Sequence, residues 1–247
     1  MEKEVFVNAP VTEALLDIQV ELPSDADIST LERFQQKIID SYPHRTERNT
    51  WQGGMEIKEG KASLLNPTSG IDGFMFKSIT EDKLIQVTLH GFTFNKLKPY
   101  THWDEFIDEA RDHWNHFLDI AKPNKITRIG LRYINRIVIP STQDDLKEYI
   151  LTGPELSPNL KFPLAGFFLR MVVTNPEIDA MAIITETIDE SNETPNVIPL
   201  IFDIDIIKEN LSLDAHDDFW RYAEDMRNFK NSIFFNSFTD RGKELFR

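Results

Sequence analysis

The chain has 247 residues, enough for one sizeable core or two small ones, and its formal net charge of −14 argues against sequence-independent binding of nucleic acid or anionic lipid. It has no cysteine, which excludes disulfides, thiol nucleophiles and zinc–thiolate sites. The sequence contains neither a signal-peptide pattern nor an apolar run near the roughly 20 residues that span a bilayer, so we expect a cytoplasmic protein.

The first half of the sequence alternates between strand and helix patterns. It predicts a strand at 13–22, a helix at 28–42, two strands within 51–65, a hairpin of strands at 73–80 and 84–94, and a helix at 102–121. The last of these is the clearest, because apolar residues line one face of that helix and charged residues fill the other.

The second half predicts a similar order of elements. These are a strand at 126–139, a short helix at 144–151, strands at 163–174, 179–188 and 197–207, and a helix at about 214–235. The expected fold class is therefore α+β, with two β-α-β(3–4)-α pseudo-repeats at 1–124 and 125–247. Each would be an antiparallel sheet with helices packed on one face, either separate or sharing one continuous sheet. In topology this layout resembles the TATA-binding-protein-like and helix-grip domains.

The stretch 125–140, KITRIGLRYINRIVIP, contains the most informative charges. Side chains alternate along a strand, so Arg128, Arg132 and Arg136 share one face of a very apolar segment. Such arginines are costly unless carboxylates or a ligand anion meet them. This segment is therefore the best candidate for a special site.

Two interpretations of these arginines remain open. In the first, the arginines pair across strands with Asp17, Asp203 and Asp205, which also lie among apolar residues. In the second, they line a pocket for a phosphate or carboxylate, because the planar guanidinium binds oxyanions through two hydrogen bonds. The residues expected to bind a ligand there are Arg128, Arg132, Tyr133, Asn135 and Arg136.

A metal site is a third hypothesis for the same region. Asp203 and Asp205 lie two apart on a strand, and two carboxylates on one face can hold Mg²⁺ or Mn²⁺ for phosphoryl chemistry. Such a site needs a third ligand, for which Asp17 and Glu186 are the candidates. The pattern is too common in strands to predict a catalytic residue, a bound metal or a cofactor.

Five motifs carry a family resemblance. They are VNAPVTEALLDIQVELP (7–23), HGFTFNKLKPYTHWDEF (90–106), RIGLRYINRIVIP (128–140), PLIFDIDI (199–206) and NSIFFNSFTD (231–240). They resemble, in order and over nearly the whole chain, the so-called sporadically distributed family of uncharacterised prokaryotic proteins. A patchy distribution of this kind implies accessory loci, such as toxin–antitoxin or phage-defence cassettes.

These observations favour a non-catalytic regulatory protein that binds a protein partner, such as the basic toxin or effector of such a locus. The acidic surface would steer the association. The alternative is a sensor of a small anion or nucleotide built around the arginine strand, and a metal-dependent phosphoryl-transfer enzyme ranks third. Neither nucleic acid nor a membrane is expected as a partner, and association with a second copy is left open.

Overall fold

One large antiparallel sheet dominates the computed structural model, which describes residues 8–52, 55–58, 61–64, 68–140, 146–160, 162, 164–189, 196–214 and 218–247. The strands are β1 (Val11–Glu21), β2 (His44–Gln52), β3 (Met55–Lys58), β4 (Lys61–Leu64), β5 (Thr68–Lys77), β6 (Lys83–Thr88), β7 (Gly91–Leu97), β8 (Lys125–Pro140), β9 (Phe168–Asn175), β10 (Ala180–Ile188), β11 (Val197–Lys208) and β12 (Leu213–Asp214). The helices are α1 (Ile28–Glu32), α2 (Gln35–Ile38), α3 (Trp103–Ala121), α4 (Trp220–Ser237) and α5 (Asp240–Glu244). The fold is thus α+β, as expected.

The sheet is continuous through its centre. Its ten strands run in the order β2-β5-β6-β7-β1-β8-β11-β10-β9, with β12 beside β8, while β3 and β4 form a separate two-stranded sheet. The antiparallel pairing of β1 with β8 places Leu16 opposite Leu131 and joins the two predicted halves. Of the two layouts that the sequence left open, the structure has the single shared sheet. The repeat relation and the boundary at residue 124 stay predictions.

The helices pack on one face of this sheet, here called the helix side. Trp114 and Phe117 of α3 are buried against Phe92 of β7, with both ring centroids 5.9 Å from that of Phe92. On the other half, Phe234 of α4 meets Phe202 of β11 at 6.1 Å. Aromatic pairs at such distances add to the stabilisation from apolar burial, so this layer of rings forms the main core.

The ends of α3 follow from its sequence. Asp104 and Glu105 lie in its first turn, where negative charge is favourable near the positive end of the helix dipole. The helix ends at Lys122, which adopts a left-handed conformation with φ of 47°, and Pro123 follows directly. None of the described helices is long and apolar enough to cross a membrane.

Several elements differ from the expectations. The edge strand β2 (HRTERNTWQ) was not predicted, because its residues are mostly polar and show no apolar alternation. The expected strand at 84–94 is two strands, β6 and β7, separated by a tight turn. The expected helix at 28–42 is broken into α1 and α2, and within 146–151 the expected helix at 144–151 is a single 3₁₀ turn, Leu146–Glu148, with 141–145 outside the described residues.

The opposite face of the sheet is here called the helix-free face. Residues alternate between the two faces, so that Leu16 of β1 is fully buried on the helix side while Leu15 and Asp17 lie partly exposed on the other. The helices α1, α3 and α4 contact β5, β6, β7, β8 and β11, and the helix-side residues of these strands are largely buried. The helix-free face is therefore the broad surface on which charged and apolar strand residues meet solvent.

Candidate functional site

The strand β8 distributes the predicted ligand-binding residues over both faces of the sheet. Arg128, Arg132 and Arg136 lie on the helix-free face, as their spacing predicted. Tyr133 and Asn135 point to the helix side, where each is at most 2% exposed. The structure therefore does not bring these five residues together into one pocket.

Each of the three arginines meets a carboxylate. Arg132 binds Asp203 through two hydrogen bonds, from Nε to Oδ1 at 2.9 Å and from Nη2 to Oδ2 at 2.6 Å. Arg128 donates from Nη1 to Asp17 at 2.6 Å, and Arg136 donates from Nε to Asp189 at 2.8 Å. The cost of placing guanidinium groups on an apolar strand is thus offset by charge-assisted hydrogen bonds.

Asp205 belongs to the same charged row but has a different environment. It lies directly opposite Arg132 in the register of β8 and β11, yet Asp203 accepts the hydrogen bonds of that arginine. Asp205 itself makes no hydrogen bond or ion pair with any described residue. Burial raises the pKa of its carboxyl to about 6, and the charges of Arg132 and Arg128 oppose that rise. Burial therefore destabilises the ionised form of this carboxylate.

The metal hypothesis loses one of its two candidate third ligands. Glu186 pairs with Phe202 in the register of β10 and β11, which places it on the helix side, away from Asp203 and Asp205. The remaining candidate, Asp17, is bound to Arg128. Over the described ranges, no three or more His, Asp or Glu side chains are grouped so that they could hold a metal ion.

Glu186 is the most isolated charge in the core. Its side chain is fully buried, and neither carboxyl oxygen has a hydrogen-bond partner among the described residues. Burial raises the pKa of Glu186 to about 7. An ionised carboxylate here is unfavourable, so this residue makes the stability of the protein depend on pH.

Tyr133 belongs to a polar cluster beneath α4. Its hydroxyl shares a hydrogen bond of 2.9 Å with that of Tyr100, and the Lys230 ammonium lies 4.1 Å from the centroid of its ring. Burial, followed by the charge of Arg227, lowers the pKa of Lys230 to about 7. Asn135 donates to the Phe202 carbonyl at 2.9 Å, which is a structural contact within the core.

A group of aliphatic residues on the helix-free face was missed by sequence reasoning. Val172 of β9 is 51% exposed and lies opposite Ile183 of β10, while Met181 of β10 lies opposite Ile207 of β11. We call Val172 and the partly exposed Met181 and Ile183 the apolar patch, while Ile207 itself is buried at 7% exposure. Ile183 is also opposite Asp205, so the patch borders the charged row. The run FLRMVVTN, apolar on both faces of an edge strand, was the signal available in the sequence.

A scan against protein-family models and a search of the curated proteins each found no match to this chain. The resemblance to the sporadically distributed family stays a prediction. The candidate function must therefore be argued from the geometry of the two faces and their charges.

Proposed function

We propose that this protein is a non-catalytic binding protein that docks on a protein partner through its helix-free face. The observation that carries this proposal is the apolar patch on a sheet face that the described helices do not cover. Exposed aliphatic groups rimmed by polar residues are typical of protein interaction surfaces. The edge strand β9 adds backbone groups that a partner strand can pair with, since β9 pairs only with β10 among the described strands.

The charges beside the patch indicate the chemistry of the partner. Arg128 and Arg132 are already engaged by carboxylates, whereas Asp205 beside the patch has no hydrogen bond to a described residue. The chain as a whole carries a formal charge of −14. A partner with an apolar centre and basic groups at its rim would complement this surface and associate faster at low salt. Such a partner suits the basic toxin or effector that the family resemblance implies.

The same ion pairs weigh against an anion sensor built on Arg128 and Arg132. An anion at either guanidinium would compete with a carboxylate bound at 2.6 Å. The displaced carboxylate of Asp203, which is 8% exposed, would then be left without its counter-ion in a desolvated position. Protein docking avoids this cost because it uses the apolar patch and leaves the ion pairs intact.

Val172→Asp should weaken binding of the partner at least tenfold, because it would place a charge without a counter-ion among the apolar contacts of the interface. The full-length protein and the variant would be used side by side to capture partners from the native host at low salt, with quantification by isotope-coded mass spectrometry. The affinity for the recovered partner would then be measured by calorimetry.

Ile79→Asp is the matched control, since Ile79 is 64% exposed in the connection between β5 and β6, outside the patch. We expect this control to bind like the unmodified protein. Equal loss in both variants, or full binding by Val172→Asp, would contradict docking at the patch.

A further inference from the structure

A second surface feature is independent of the docking face. A cavity of about 360 Å³ lies where β1 begins and β8 approaches its end. Its walls come from four segments that are distant in sequence. They are 8–11, Lys98 to Tyr100, Arg136 to Val138, and Leu245 with Phe246.

The charged residues that line this cavity are both basic. Lys98 and Arg136 contribute to its walls, and no Asp or Glu of the described residues does, although acidic residues outnumber basic residues 41 to 27 in the whole chain. Lys98 is exposed and makes no ion pair within the described part of the chain. Asp189 accepts a hydrogen bond from Arg136 Nε, so the two terminal guanidinium nitrogens can still donate to a ligand.

Tyr100 lines the same cavity. Its hydroxyl is hydrogen-bonded to that of Tyr133 at 2.9 Å, and either oxygen can be the donor. When Tyr133 donates, the proton of Tyr100 remains available to another acceptor. Burial raises the pKa of Tyr100 to about 12, so the group keeps this proton at neutral pH.

The remaining walls are largely apolar, with Pro99, Ile137 and Phe246 among them. The volume of about 360 Å³ is that of roughly a dozen water molecules, which suits a small organic molecule. Positive charge on one part of the wall and apolar contact on the rest select an anion that has an apolar body.

We propose that this cavity binds a small organic carboxylate, with Lys98 and Arg136 holding the carboxylate and the Tyr100 hydroxyl donating to it. The apolar walls contact the body of the ligand. This site lies outside the apolar patch, and no residue of the patch lines it. Carboxylate binding in the cavity can therefore be tested independently of docking at the helix-free face.

The test uses the full chain and three carboxylate probes: acetate, benzoate and phenylacetate. Each is titrated at constant ionic strength, and the neutral analogue benzamide serves as the uncharged control. Binding to the native state raises the melting temperature by an amount that increases with ligand concentration and with affinity. We expect benzoate or phenylacetate to raise it, benzamide to leave it unchanged, and Lys98→Gln to weaken the affinity at least tenfold. Tyr100→Phe should weaken the affinity severalfold while keeping the ring contacts.

Lys122→Gln is the matched control, because Lys122 is also exposed and without an ion pair to a described residue, but follows the end of α3 outside the cavity. Its affinity for benzoate should equal that of the unmodified protein. The proposal is overturned if none of the three carboxylates binds, if benzamide binds as well as benzoate, or if Lys98→Gln and Lys122→Gln behave alike. Binding of inorganic phosphate without binding of any carboxylate would also overturn it.

Discussion

Arg132→Met should lower the free energy of unfolding by about 3 kcal/mol at pH 7.5, the lower end of the range for breaking a buried ion pair. The lower end applies because the Arg132 side chain is 40% exposed, whereas that of Asp203 is 12% exposed. Removing the guanidinium leaves Asp203 and Asp205 without their nearest positive charge. Denaturant unfolding followed by far-UV circular dichroism measures the difference.

The loss of unfolding free energy in Arg132→Met, here called the deficit, should depend on pH. The pKa of Asp205 is about 6 with Arg132 present, already above the ordinary value, and loss of Arg132 raises it further. Protonation relieves an unpaired carboxylate, so the deficit should shrink as the pH falls from 7.5 to 5. Lys77→Met is the control, since its surface pair with Glu81 should contribute less than about 1 kcal/mol. A deficit that is equal at both pH values would refute the electrostatic explanation.

The gain in unfolding free energy from Glu186→Met should be about 3 kcal/mol larger at pH 8 than at pH 4.5. The folded-state pKa of Glu186 is about 7, above its ordinary value of 4.5. The folded state therefore retains a proton that the unfolded state releases, and stability is lost as the pH rises from 4.5 through 7. Methionine fills a similar volume and carries no proton in this range.

Unfolding free energies from pH 4.5 to 8 for both proteins would test this result. Asp205, whose folded-state pKa is raised to about 6, also lowers the stability as the pH rises, but at lower pH than Glu186 does. Lys230 has the opposite effect: its pKa is lowered to about 7, so it makes the stability rise with pH above 7. The unmodified protein should thus be least stable near pH 7, and Glu186→Met should have a shallower minimum. Exposed Glu47→Met is the control and should leave the curve unchanged. An unchanged curve for Glu186→Met would show that Glu186 does not titrate in this range.

The sequence predicted most elements because their apolar patterns are local. The helix α3 and the strands β8, β10 and β11 were found within a few residues of their ends. The polar edge strand β2 was missed, because a strand with little apolar surface to bury shows no period-two pattern. The order of the strands is set by pairing between distant residues, which periodicity does not report.

The candidate site was only partly predictable for the same reason. The alternation of β8 predicts that Arg128, Arg132 and Arg136 share a face, and the carboxylates Asp17 and Asp203 were named as partners. The partner of Arg136 is Asp189, which lies just beyond a strand end and whose position depends on tertiary structure. Lys98 joins Arg136 at one cavity only because β1 brings the two segments together, and no local pattern predicts that contact.

The pairing of β1 with β8 has a consequence for folding in the cell. Leu16 and Leu131 are opposite each other although more than a hundred residues separate them, so β1 is synthesised long before its central partner. During that interval β1 can pair with β7 while its other edge stays open to any strand that reaches it. At high concentration that edge can accept β8 from a second molecule instead of its own. This seam is therefore the place where domain-swapped dimers and early aggregates of the protein would form.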